Sequence, residues 1–167
     1  MKRNDVVSSP RGTRFMGRTF ASSIGRSGMT VTKREGDGAS PIGTHRLIGM
    51  LYRPDRIAAS QLPNWALPIR LNDLWSDASN DPDYNQLVRA PYTPSHEKLR
   101  RADPLYDLIL ITDWNWLEAQ PGLGSAIFLH IWRSPRYPTA GCVAFARQDL
   151  IWIANRLTPQ SRLILQP

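Results

Sequence analysis

One cysteine, Cys142, stands alone in 167 residues, which excludes an intrachain disulfide and any metal site built on several thiolates. Histidine is nearly as scarce. His45, His96 and His130 are the only three, and their spacing with Cys142 matches no standard zinc pattern, so neither a metal nor another cofactor is expected. Long apolar runs are missing too: none reaches the ~18 residues of a membrane span, and no apolar signal core follows the early Lys2 and Arg3. Neither a transmembrane segment nor an export signal is therefore expected. Acid is in deficit, 14 Asp+Glu against 21 Lys+Arg giving +7, and residues 1–34 hold eight basic residues against one acid, Asp5. Such a surface suits a polyanionic or carboxylate-rich partner and bears on association rather than on fold. Nucleic acid is disfavoured as that partner, because the arginines are scattered and no interleaved aromatics or nucleic-acid motif accompany them.

What is present fits one domain, since the length and 41% hydrophobic content allow one core. Residues 1–13, polar and basic with Pro10 and Gly12, read as a flexible arm, and 14–167 as a single domain. Arg14 to Ile24 alternates as a hairpin with its turn at Gly17-Arg18, and three glycines and a proline make Lys33 to Gly43 a loop. His45–Tyr52, Tyr106–Ile111 and Ala126–Trp132 read as strands, and Arg162–Leu165 as a short last one. Leu150, Ile153, Ala154 and Leu157 at i, i+3, i+4 and i+7 predict a helix over 147–157. Residues 54–104 hold seven of the fourteen prolines and show neither a strand nor a helix period. Trp65, Ile69, Leu71, Leu74 and Trp75 nonetheless make this segment an ordered cap or lid rather than a disordered insert. The fold class is α+β, β-rich, with one clear helix near the C-terminus.

The chemistry gathers at two points. His130 lies in an apolar strand, and after the loop Ser134-Pro135-Arg136-Tyr137-Pro138 comes Thr139-Ala140-Gly141-Cys142-Val143. Gly141 permits the unusual backbone that presents a nucleophile at a turn, and a histidine within reach makes a thiol useful in acyl transfer.

This series resembles the L,D-transpeptidase catalytic domain, the YkuD family, whose signature is a histidine closing a strand followed by Ser-x-Gly-Cys-Val/Ile and then usually Arg. His130 matches the histidine, Thr139 stands at the serine, and Gly141, Cys142 and Val143 match directly. Upstream, Asp37 to His45 is similar to the family's Thr-Pro-x-Gly-x-Phe element. Ala144 stands where many members have arginine, Ile131-Trp132 replace Gly-Thr, and the insertion 54–104 exceeds that of the minimal domain. The resemblance implies a peptidoglycan L,D-transpeptidase. Cys142 is its nucleophile, forming a thioester acyl-enzyme, and His130 its base; backbone N–H groups around Gly141 and Cys142 hold the oxyanion. Stem peptides are then the partners, a carbapenem a possible inhibitor, and the periplasm the compartment the chemistry requires. Thr139, Tyr137, Arg136, Arg147 and His96 are the candidate substrate contacts, with Arg147 a replacement for the arginine absent at Ala144. His45 is read as packing. Five arginines after Pro121, against Asp149 alone, suggest a positive local field that favours a thiolate. Two alternatives stay open: an L,D-carboxypeptidase or endopeptidase using the same residues, and a non-catalytic basic module binding wall or nucleic acid.

Overall fold

The computed structural model describes residues 2–167. The chain opens with β1 (Asp5–Ser9), β2 (Gly12–Phe15) and β3 (Arg18–Phe20), followed by the two-residue strands β4 (Ser22–Ser23), β5 (Met29–Thr30) and β6 (Ser40–Pro41). The longest strand, β7 (Gly43–Tyr52), leads into the insertion, with β8 (Leu67–Pro68), β9 (Asp73–Ser76), β10 (Leu87–Arg89) and β11 (His96–Lys98). Then come β12 (Leu108–Thr112), β13 (Phe128–Ile131), β14 (Val143–Phe145), α1 (Arg147–Ala154) and β15 (Arg162–Leu165).

The main sheet runs β3-β2-β1-β15-β7-β12-β13-β14-β4, with β8 also paired to β7. It curls nearly closed: Thr13 Oγ1 on β2, next to one end, donates to Ser22 Oγ on β4, the other end, at 2.8 Å. The hairpin expected between residues 14 and 24 is β2–β3, turned through Met16 and Gly17, both at positive φ (48° and 78°). That pair of dihedrals matches the twist of the flanking strands.

Within the expected arm of residues 1–13, Asp5–Ser9 is instead a strand of the main sheet. β1 pairs in parallel with β15 at the far end of the chain, Val6 and Val7 are buried, and Arg162 donates twice to Asp5, at 3.0 and 2.8 Å. Two apolar residues inside a basic run are enough to seat it once β15 offers an edge.

The central strands are apolar throughout because both faces are covered. Leu108 and Leu110 of β12, Leu129 and Ile131 of β13, and Val143 and Phe145 of β14 face a core shared with Leu150, Ile153 and Ala154 of α1. The alternate residues, Ile109, Ile111 and Phe128, face a second cluster with Ile69, Trp75 and Leu99 of the insertion. Period-2 alternation therefore splits each strand between helix and insertion. Where the sequence shows no period, residues 73–98 form a three-stranded antiparallel sheet, β10-β9-β11. Trp75 anchors it, ring edge to face with Phe128 at 5.0 Å between centroids.

Candidate active site

β13 and β14 pair in parallel, with Leu129 opposite Val143 and His130 opposite Ala144. Cys142, one residue before β14, falls beside Phe128, and the backbone N–H of Phe128 meets its Sγ at 3.4 Å. Since side chains alternate along a strand, Cys142, Ala144, Phe128 and His130 share one face. That face is the floor of a cleft of about 280 Å³ lined by both Cys142 and His130.

The turn carrying Cys142 is held from several sides. Thr139 Oγ1 donates to the Cys142 carbonyl at 2.7 Å and accepts the Gly141 N–H at 3.1 Å. Ser40, fully buried, donates to the Gly141 carbonyl at 2.7 Å and accepts the Gly25 N–H at 3.0 Å. Gly141 has φ +144°, and a Cβ there would stand 2.9 Å from the Ala39 carbonyl oxygen. Only glycine fits a backbone this close to the 39–40 segment. The upstream motif around Ser40 thus supports the cysteine turn, a positioning role that its sequence alone did not reveal.

His130 is buried, and its Nδ1 lies 2.8 Å from the Ile131 carbonyl. A carbonyl only accepts, so Nδ1 carries the proton and Nε2 keeps a lone pair. The Tyr106 ring packs edge-on against the imidazole at 5.5 Å. Burial pushes the His130 pKa down to about 4, with Arg101 adding to the fall and the Ile131 carbonyl opposing it. Cys142 as a residue is half-buried, and burial of its thiol pushes the pKa up to about 12, with Glu97 reinforcing. Cys142 Sγ donates to the Ala126 carbonyl at 3.1 Å. Both groups are neutral at rest.

Burial outweighs the lowering that Lys33 exerts on the thiol, and four of the five arginines behind the expected positive field lie outside the cleft. Arg147 pairs with buried Asp107 at 2.6 Å and donates to the Arg56 carbonyl, outside the cleft. Arg162 is bound to Asp5, and Arg156 stacks on Trp152 at 3.9 Å. Of the five, only Arg133 lines the cleft, with its guanidinium 5.1 Å from the Tyr137 ring.

Thr139 and Tyr137 are cleft residues; Arg136 (φ +60°) and His96 are not. His96 Nδ1 meets the Pro94 carbonyl at 2.7 Å, and its ring contacts Tyr92. Gly141 spends its N–H on Thr139, which removes it as an oxyanion donor at rest. His45 is buried against Trp114, with Nε2 3.1 Å from the Pro41 carbonyl, away from the cleft. Among the described residues no cluster of His, Cys, Asp and Glu is arranged to hold a metal, and no helix is long and apolar enough to cross a membrane.

Sequence reading missed another part of the lining. The insertion supplies Asp77, Glu97 and Arg101 to the cleft, and Lys33 and Glu35 line it as well. Tyr106 donates to Glu97 at 2.5 Å, and Tyr84 donates to Glu35.

Against known proteins, the family model for the YkuD L,D-transpeptidase catalytic domain matches residues 9–165. No curated protein sequence matches. Among solved structures the chain is similar to an L,D-transpeptidase from Mycobacterium smegmatis, with 13% identity and TM-score 0.44. The match covers 97% of this chain and 58% of that one, so the chain spans less than two thirds of that protein.

Proposed function

The chain belongs to the L,D-transpeptidase catalytic-domain family, and from that membership we propose that it is a peptidoglycan L,D-transpeptidase acting through Cys142 and His130. The observation that carries the reading is the parallel register of β13 and β14, which sets both side chains on one face above one cleft. The donor is a stem peptide, whose carbonyl at the L-centre of diaminopimelate enters the cleft. Because thiol and imidazole rest neutral, the proton leaves Sγ for Nε2 of His130 as the C–S bond forms. No ion pair waits in advance. The Cys142 backbone N–H serves the developing oxyanion. The imidazolium then protonates the departing D-amino acid, and a thioester remains on Cys142. An acceptor amine from a second stem takes the acyl group and restores the thiol. Carbapenems, whose strained lactam offers an acyl carbon to the same sulfur, are inhibitors on this reading. The periplasm, where stem peptides are joined, is its place of work, and residues 54–104 act as a lid whose inner wall selects what enters.

Mass spectrometry of purified tetrapeptide stems incubated with the protein tests this. Crosslinked dimer with loss of D-alanine is expected. Tripeptide alone would make the protein a carboxypeptidase, and unaltered tetrapeptide would contradict acyl transfer.

A further inference from the structure

The loop between β12 and β13 has little core of its own to hold it. It turns through positive φ at Asn115, Leu117, Gly122, Gly124 and Ala126, and Leu117 and Leu123 are exposed. One side chain of the insertion closes it. Asn85, only 2% exposed, donates from Nδ2 to the Trp114 and Asn115 carbonyls at 3.0 and 2.7 Å, at the start of the loop. At the other end its Oδ1 accepts the Ala126 N–H at 2.9 Å, and Trp75 Nε1 donates to the same oxygen at 3.0 Å. Two donors meet the oxygen and two carbonyls meet the nitrogen, so a single orientation of the amide satisfies all four. Neither Asp nor Leu, of similar size, could do so.

Ala126 is where this loop reaches the nucleophile. Its carbonyl accepts the Cys142 thiol at 3.1 Å, and the Phe128 N–H meets the same sulfur at 3.4 Å, so the sulfur is seated between residues 126 and 128. Ala126 holds φ +52°, a left-handed conformation that a residue with a Cβ keeps only when its surroundings impose it. The Asn85 oxygen on its N–H is the imposing contact. Released from Asn85, the backbone would relax toward negative φ and turn the carbonyl off the thiol.

We propose that Asn85 is a positioning residue for the nucleophile: by clamping Ala126 it keeps the Ala126 carbonyl on the thiol and fixes where the Cys142 sulfur and its proton sit in the resting site. The proposal rests on the acyl-transfer reading and deepens it, because the insertion, which supplies both Asn85 and Trp75, then completes the setting of the cysteine. A carbonyl cannot take a proton. The bond therefore holds the thiol neutral until its proton passes to Nε2 of His130.

The test alkylates Cys142 with iodoacetamide at pH 7 in the full chain, in Asn85→Ala, in Asn85→Ala combined with Ala126→Gly, and in Trp75→Phe. Losing the acceptor removes one hydrogen bond from the neutral thiol, worth about one pKa unit, so Asn85→Ala should react about 10-fold faster. Glycine takes φ +52° unaided, so adding Ala126→Gly should return the rate to within about threefold of wild type. Trp75→Phe cuts a different bond to the same amide, leaves Ala126 clamped, and should react at the wild-type rate. A merely structural role predicts that both single variants speed up together and that glycine restores nothing. Either result overturns the clamp, as does a wild-type rate in Asn85→Ala. Should Asn85→Ala alone fail to fold, the double variant decides: a folded protein with a wild-type thiol supports the clamp, and a fast thiol or no folding overturns it. The expected rates in a protein that leaves tetrapeptide unaltered would keep the clamp and remove the acyl-transfer reading.

Discussion

The buried neutral imidazole of His130 has a thermodynamic signature that can be measured without substrate. Its pKa is lowered from 6.5 to about 4 by burial, so between those values the unfolded chain binds a proton that the folded protein does not. Stability from this group is therefore complete above pH 6.5 and is lost as pH falls toward 4. Two and a half pKa units at 1.36 kcal/mol each give about 3 kcal/mol, nearly all of it lost by pH 4. His130→Gln removes the titration. Urea denaturation of wild type and variant at pH 7 and pH 4 isolates the effect, because carboxylates and His45 titrate in both proteins and cancel in the difference. The wild type should lose about 3 kcal/mol more than the variant between the two pH values. Equal losses, within about 1 kcal/mol, would refute a buried neutral His130 and with it the account of how the thiol gives up its proton.

Gly141→Ala, which puts a Cβ 2.9 Å from the Ala39 carbonyl oxygen at φ +144°, should destabilise by about 1–3 kcal/mol and slow turnover, as thermal melts and product formation would report. Cys142, held near 12 rather than 9, should react with iodoacetamide at pH 7 about 10³ times more slowly than in the urea-unfolded chain; equal rates would indicate a thiolate ion pair with His130. Asp107→Asn leaves Arg56 and Arg147, now paired at 2.8 and 2.6 Å, without their buried counter-charge and should cost about 3 kcal/mol in urea denaturation.

Where a strand or helix is covered by the core on a regular period, its residues announced it. β12 and β13 follow unbroken apolar runs buried on both faces, β7 and β15 follow runs that alternate in whole or in part, and α1 follows positions that recur every three to four residues. The turn before Cys142 was legible through Gly141, and the strand carrying His130 through its apolar run. Three features were not. β1 was hidden because its basic neighbours outweigh Val6 and Val7, and because its partner β15 lies 157 positions away between Asp5 and Arg162. The β9–β11 sheet was hidden because its strands are three or four residues long and are placed by Trp75 against Phe128, a contact no local pattern encodes. The arginine count misled because a count ignores partners: Arg147 and Arg162 belong to buried aspartates, not to the thiol. Glu35, Asp77, Glu97 and Arg101 meet in the cleft only once the insertion packs against the main sheet.

The central claim is that Cys142 takes an acyl group from an activated amide. Intact-mass spectrometry after incubation with a carbapenem, followed by peptide mapping, tests it most directly. The account predicts a gain of one drug per chain, located on Cys142 and absent from Cys142→Ala. A wild-type protein that stays unmodified while its thiol remains titratable after unfolding would contradict it.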